Sequence, residues 1–282
     1  MDGAVAQRVR ERLVDETMLV EQRKPVEPRA RDGHLEVVAA AGAVLDPQLV
    51  RVRKRGAEQG FETLGGHATM VRSRAYPVAV DEIGLFPLGV VLLPTERIPL
   101  HIFEPRYREL INECIEDDGE FGLVFADEDG VRELGTRARV TDVLERFDDG
   151  RLNIVIEGLE RFRVERLTQG RAFMTAMVES VDDEEPPNAD PETAARAAGS
   201  FRALAALAEA ETGEIDEDSS QLAFELAAQV ELAPEAKQGL LELRSEQQRL
   251  ELVADLLDAA RAALIATREL GERAKRNGSR LA

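Results

Sequence analysis

Between residues 78 and 181 the apolar positions recur mostly at every second residue, the period of strands that bury one face. Leu152, Ile154 and Ile156 alternate with Asn153, Val155 and Glu157, and farther along Phe162, Val164 and Leu167 face one way while Arg161, Arg163 and Glu165 face the other. The pattern predicts a short strand over 121–125, a turn over 127–130 and a longer strand over 137–147. A hairpin turn follows at Asp149-Gly150, two residues that tolerate the positive φ such turns require. Met174, Ala176 and Val178 close the set, for six or seven strands in all. So many hairpins around one internal helix predict a mostly antiparallel sheet curled into a partly closed barrel.

The internal helix begins where the period changes. Residues 98–103 read as an extended run, and Pro105 fits the first helical position. Tyr107, Leu110, Ile111, Cys114 and Ile115 then fall on one helical face. Asp117-Asp118-Gly119 ends the helix, with glycine expected in the left-handed conformation. Beyond residue 181 charge and paired prolines predict a linker, and the period becomes that of helices. Asp190 caps the first, with Pro191 at its first position and a stripe of Ala194, Ala197, Phe201, Leu204 and Ala208. A short helix over 220–230 and one opened by Pro234 come next. The capping box Ser245-x-x-Gln248 starts a long fourth helix with its seam at Leu250, Val253, Leu257, Ala260 and Leu264. The division is an extension over 1–77, a β domain over 78–181, a linker over 182–190, a helical bundle over 191–276 and a tail over 277–282.

Specific stretches carry a family resemblance. Leu85-Phe86-Pro87-Leu88-Gly89, Val90-Val91-Leu92-Leu93-Pro94 and the segment Ile98-Pro99-Leu100-His101-Ile102-Phe103-Glu104-Pro105-Arg106-Tyr107 resemble the opening of the substrate-binding N-terminal domain of Lon proteases. Phe121-Gly122-Leu123-Val124, Gly135-Thr136 and the run from Glu157-Gly158 to Arg163-Val164 continue the match, which extends from about Ile83 to about Leu264. The resemblance implies an α+β protein, a PUA-like β domain followed by a helical bundle. It also implies recognition of polypeptide: unfolded or extended segments, or a protein partner in quality control.

Charge alters part of this picture. The chain of 282 residues has a net charge of −19, unevenly spread. Residues 1–80 carry 13 basic and 11 acidic side chains, residues 81–282 carry 23 and 44, balances of +2 and −21. PUA-like folds include RNA binders, but so negative a field opposes phosphate. No nucleic acid is expected. Apolar runs reach about half the roughly 20 residues that span a bilayer, and no apolar signal core precedes Glu36, so neither a membrane nor secretion is expected and the location is read as cytoplasmic. The first 77 residues match nothing in the family: residues 5–18 suit a helix, Lys24 to Arg29 break it, and Arg51-Val52-Arg53-Lys54-Arg55 reads as a solvated basic run. Met70 is an alternative natural start.

Candidate catalytic chemistry is sparse. No Gly-Lys pair occurs, so there is no Walker A loop to cradle phosphates, and no cofactor is expected. Lon-type proteolysis uses a serine activated by a lysine. Ser200 and Lys237 are both predicted on helices, without the glycine-rich strand context of such a nucleophile. His34, His67 and His101 are isolated, without zinc-ligand spacing. The lone Cys114, on an apolar helix face, reads as a small buried hydrophobe. The expectation is a non-enzymatic binder, with two alternatives: an adaptor for a separate ATP-dependent protease or ATPase, and an enzyme of unrecognised type.

The motif residues Pro99, Leu100, His101, Ile102, Phe103, Glu104, Pro105, Arg106 and Tyr107 admit two roles. In the structural one Ile98, Leu100, Ile102 and Phe103 fill a core, Pro105 sets the turn, Arg106 or Arg108 ties the junction, and His101 is a hydrogen-bonded structural residue. In the functional one the strand lies at a sheet edge, because Pro94 and Pro99 cannot donate ladder hydrogen bonds. That edge accepts an extended peptide, with Glu104, Arg106 and Tyr107 at its rim.

Overall fold

A computed structural model of the protein describes residues 51–52, 80–184 and 189–278. The helix expected over 5–18, the break after it, Arg53 to Arg55 and the alternative start at Met70 lie outside the described residues. Six strands, β1 (Val80–Leu88), β2 (Arg97–Ile102), β3 (Phe121–Asp127), β4 (Gly130–Arg146), β5 (Leu152–Thr168) and β6 (Thr175–Ser180), form one sheet in the order β2-β5-β4-β3-β1-β6. The far half of β5 also pairs with β6, so the sheet curls until these strands meet. β2 stays outside that ring, paired with the near half of β5 alone.

The sheet is mixed rather than a clean antiparallel barrel. β1 and β3 run parallel, Leu85 opposite Gly122 through Leu88 opposite Phe125. A parallel neighbour needs a crossover, and β2 with helix α1 (Pro105–Asp117) supplies it. Pro105 opens α1, and Tyr107, Leu110, Ile111 and Cys114 are its buried face. The helix ends one residue earlier than its glycine suggests: Asp118, at φ 50° and ψ 40°, takes the left-handed conformation, while the Gly119 N–H closes on the Cys114 carbonyl at 2.9 Å.

Four more helices follow: α2 (Pro191–Leu207), α3 (Leu222–Ala227), α4 (Pro234–Glu242) and α5 (Glu246–Gly278). Asp190 caps α2 by accepting from the Glu192 and Thr193 N–H groups, both at 3.0 Å. Ser245 accepts from the Gln248 N–H at 3.5 Å, one arm of the expected capping box. Just before α4, Val230–Glu231 pairs antiparallel with Arg51–Val52.

The apolar stripes of these helices do not close a core of their own. Phe201, Leu204, Phe224, Leu240 and Leu257 pack in one cluster with Phe125 and Leu134 of the sheet and Val91 and Leu93 of the β1–β2 connection. A second cluster joins α1 to the inner faces of β1, β2 and β5, and a third fills the other end of the ring around Leu85, Phe162 and Val178. Burial pushes the Cys114 thiol up to about 11, with the carboxylates of Glu113 and Asp117 adding to the effect, as suits a small hydrophobe inside the second cluster.

Two departures from strict alternation matter. The β4 ladder begins at Gly130, seven residues before the strand expected from residue 137, because Val131 and Leu134 face the core across a slipped register at the β3–β4 turn. Arg161, expected on the solvent face of β5, is buried against the helices. Its guanidinium donates to the Leu241 and Leu243 carbonyls at 2.8 and 2.7 Å and pairs with Asp183. Asp183 in turn binds Arg249 of α5, so this part of the acidic stretch is a clasp between sheet and helices.

Candidate functional site

Edge strand β2 exposes alternate residues, as its sequence period requires. Ile98 and Leu100 are half-buried and Ile102 fully buried on the core side, while Arg97, Pro99 and His101 face solvent. Its partner strand sets one polar rung after another on that outer face. Arg97 and Arg139 flank Glu157 from two sides, each with paired N–H donors at 2.6–3.1 Å. Partial burial alone would raise the Glu157 carboxyl; the Arg139 and Arg97 hydrogen bonds outweigh it and hold the group below the usual carboxylate range. Two rungs on, His101 Nδ1 lies 2.6 Å from Asn153 Oδ1, and Asn153 donates to Glu145 at 2.9 Å. Asn153 Oδ1 can only accept, so His101 carries its proton on Nδ1.

Past His101 the surface turns apolar. Phe103, expected in the core, is 51% exposed, because the strand ends at Ile102 and the chain turns outward before Pro105 starts α1. The His101 ring stacks on Phe103 at 6.1 Å and meets Phe147 edge-on at 5.9 Å, and Arg151 covers Phe147 at 4.9 Å. On the next strand Leu144 is 62% exposed, and Val143 is exposed beside it, at a register shift between Val143 and Glu145. Two adjacent apolar residues break the alternation there, and that is the signal by which the sequence could have revealed them.

At the other end of β2 lies a groove of about 310 Å³ between the edge strand and the segment leading into α4. Val90, Ile98, Pro99, Leu232 and Pro234 give it apolar walls, with Glu96 and Lys237 at its base. Glu96 is buried, accepts from the Leu93 N–H at 3.0 Å and pairs with the Lys237 ammonium, fixing one wall to the other.

The remaining motif residues divide by accessibility. Glu104 and Arg106 pair at 3.1 Å on the half-exposed junction, and Arg108 donates to the Asp149 carbonyl of the hairpin turn. Tyr107, expected at the rim, is buried and stacks on Phe86 at 4.2 Å; it belongs to the core with Ile102. Leu100 is half-buried, and Pro99, His101, Phe103 and Pro105 are accessible. Lys237 is committed to Glu96, Ser200 lies on α2, and among the described residues no cluster of His, Cys, Asp or Glu is built to hold a metal ion. Among them, too, no helix is long and apolar enough to cross a membrane.

A family model described as the ATP-dependent protease La (LON) substrate-binding domain matches residues 82–259. Lon protease of Brevibacillus choshinensis is 25% identical over 215 residues, covering 71% of this chain and 28% of the relative. Lon protease 2 of Myxococcus xanthus is 30% identical over 187 residues, 61% of this chain and 22% of the relative. The chain therefore spans about a quarter of the length of these relatives. The N-terminal domain of a Mycobacterium avium complex Lon protease, 23% identical, superposes with a TM-score of 0.51 over 63% of this chain and 98% of that one, a likeness of fold. What is found throughout is the substrate-binding region, not a catalytic domain.

Proposed function

Because the chain belongs to the family of Lon substrate-binding domains, we propose that it is a non-enzymatic module that binds extended or unfolded polypeptide in the cytoplasm, along β2. The observation that carries this reading is the set of accessible apolar groups on and beside the edge strand β2: Val90 and Pro99 at the groove, then Phe103 and Phe147 against His101, with Leu144 exposed on β4. Single exposed apolar residues are ordinary; several converging on one sheet edge mark a binding surface. An extended segment gains backbone hydrogen bonds from the edge and buries its own apolar side chains at the two ends. Burying a large apolar side chain contributes about 1.5–3 kcal/mol, so a client with one aromatic or aliphatic anchor per end binds at modest affinity and with loose sequence preference.

The test is anisotropy of labelled unfolded polypeptide against the purified protein and its Phe103→Asp and Leu144→Asp variants. Both positions are surface ones, and circular dichroism verifies the folds. Each variant should weaken binding roughly tenfold or more, the fold-change that 1.4 kcal/mol gives, and should no longer slow aggregation of the client. Unchanged binding in both variants would remove the apolar end from the site; no binding by the parent protein would sink the reading.

A further inference from the structure

A cleft of about 410 Å³ opens between α1 and the turn from β5 to β6, and it shares no lining residue with the groove beside β2 or the aromatic cluster around His101. That volume is at the small end of the roughly 300–1,000 Å³ of ligand pockets, room for a side chain or two rather than a helix. Ile83, Leu110 and Phe173 form an apolar floor. Carboxylates stand around it: Glu82 from β1, Glu113 and Asp117 from successive turns of α1, and Glu120 from the loop before β3. Their field reaches the floor, since Glu113, Asp117 and Glu120 all add to the burial that pushes the Cys114 thiol up.

Arg171, the basic residue of the lining, shows how the cleft treats a cation. Its guanidinium lies 4.9 Å from the centre of the Phe173 ring and pairs with Glu113 across on α1, so an aromatic face and a carboxylate act on the same group. The two side chains are 46% and 41% exposed, and an ion pair so open to water holds weakly and yields to a competitor. Of the other carboxylates, Glu82 accepts from the Thr168 hydroxyl, Arg137 stands 3.7 Å from Glu120, and Asp117 is exposed at the end of α1. Four carboxylates against one lining guanidinium favour a cationic occupant, and the balance of −21 over residues 81–282 draws one toward the surface. The rim alone would attract any cation. The floor beneath it selects one joined to an apolar group.

We propose that this cleft is a second polypeptide contact, taking a segment in which a leucine-like side chain stands beside arginine. The aliphatic group covers Ile83, Leu110 and Phe173, and the guanidinium displaces Arg171 from Phe173 and Glu113, with Glu82 and Asp117 completing its surroundings. A segment bound here needs no free strand edge, so the inference stands apart from the reading of β2.

The test is anisotropy of a labelled peptide of repeated Leu-Arg-Gly against the full chain, beside matched peptides with Ser in place of Leu or Glu in place of Arg. The Leu-Arg peptide should bind about tenfold or more tightly than either. Glu82→Lys/Asp117→Lys should weaken it by a similar factor, and the same reversal of charge at a distance, Glu211→Lys/Glu214→Lys, by much less. Arg171→Ala should tighten binding about two- to fivefold, the span of an exposed ion pair, whereas Arg202→Ala, which removes the same charge from α2, should not. Phe103→Asp should leave this peptide bound. Equal binding of the Ser peptide, equal losses from the two reversals, or an Arg171→Ala variant that does not tighten overturns the proposal. Binding lost in Phe103→Asp but kept in the cleft variant overturns it too, by placing the segment at β2. The reversed residues are exposed, and circular dichroism verifies that the variants fold.

Discussion

Replacing Arg249 by Met should be among the most damaging single changes in this protein. The guanidinium is fully buried, with 0% of its side chain exposed. It donates to Glu246 at 2.9 and 2.7 Å, to Asp183 at 2.7 Å and to the Leu243 carbonyl at 2.9 Å, and it lies 4.5 Å from the Phe224 ring. Methionine fills much of the volume but strands the carboxylates. Glu246 keeps only the Ala223 N–H at 2.7 Å, and Asp183 keeps Arg161. Removing one partner of a buried ion pair costs about 3–5 kcal/mol, which for a fold of this size lowers Tm by roughly 6–20 °C.

The loss should depend on pH in a definite direction. Burial already pushes the Glu246 carboxyl above the usual carboxylate range, although the Ala223 N–H and Arg249 pull against it. Without Arg249 it rises further, so the folded variant binds a proton more readily than the unfolded chain does. Its stability therefore grows as pH falls through that raised value and levels off below the unfolded value of about 4.3. Asp183 acts oppositely in the parent: burial would raise its carboxyl, but the Arg249 hydrogen bond and the Arg161 charge hold it low, a stabilisation present above about 3.9 and lost below. Urea unfolding monitored by far-UV circular dichroism at pH 5.5 and 7.5 should thus show a smaller loss at the lower pH, with m unchanged. The double variant Arg249→Met/Glu246→Leu should recover part of it, leaving about 1–3 kcal/mol for the unpaired Ala223 N–H and the weakened Asp183. A loss below about 1 kcal/mol at pH 7.5, or the same loss at both pH values, refutes the reasoning.

Gly158→Ala should destabilise by about 2–4 kcal/mol, in the upper range for overpacking, because a Cβ there meets the Leu93 backbone carbonyl at 2.1 Å. The turn it displaces feeds β2, so client affinity should fall along with Tm; a variant of parental stability would show that the two backbones separate freely. Asp118→Gly should do the opposite, raising stability by about 0.5–1 kcal/mol in the same urea assay, since glycine adopts the left-handed conformation without the penalty an L side chain carries.

The strand period and the proline-initiated helices stand plainly in the sequence because each is written by local rules. Alternation alone places Leu152, Ile154 and Ile156 inside, and Pro105 and Pro191 open α1 and α2. The absent N–H of Pro99 is enough to put β2 at an edge. What local rules leave out is what lies beyond each strand's outer face. Arg161 sits on the polar side of β5 by period, yet that side is covered by helices some 80 residues later in the chain, so an arginine there becomes a buried clasp. Phe103 fails in the other direction: it follows an apolar run, but the strand ends one residue before it and no described element covers the turn. Leu144 of β4 and Phe147 of the turn after it enter the candidate site from elsewhere in the chain, and no spacing in the sequence relates them to His101.

Both kinds of departure serve the same surface. The groove beside β2 has one wall from the sheet and one from the segment before α4, so its width depends on how firmly the helices are held to the sheet. That hold is threefold: the shared core of Leu93, Phe125 and Leu134 with the helices, the Glu96–Lys237 pair across the groove itself, and the Arg161–Asp183–Arg249–Glu246 clasp. Buried ion pairs add little stability over apolar residues of the same volume, but they tolerate few alternative arrangements. A core of alanine and leucine, as in α2 to α5, is the kind that slides, and charged groups with fixed partners pin its register. On the proposed reading, a client at β2 would meet walls already in place, and its binding energy would not be diverted into assembling them.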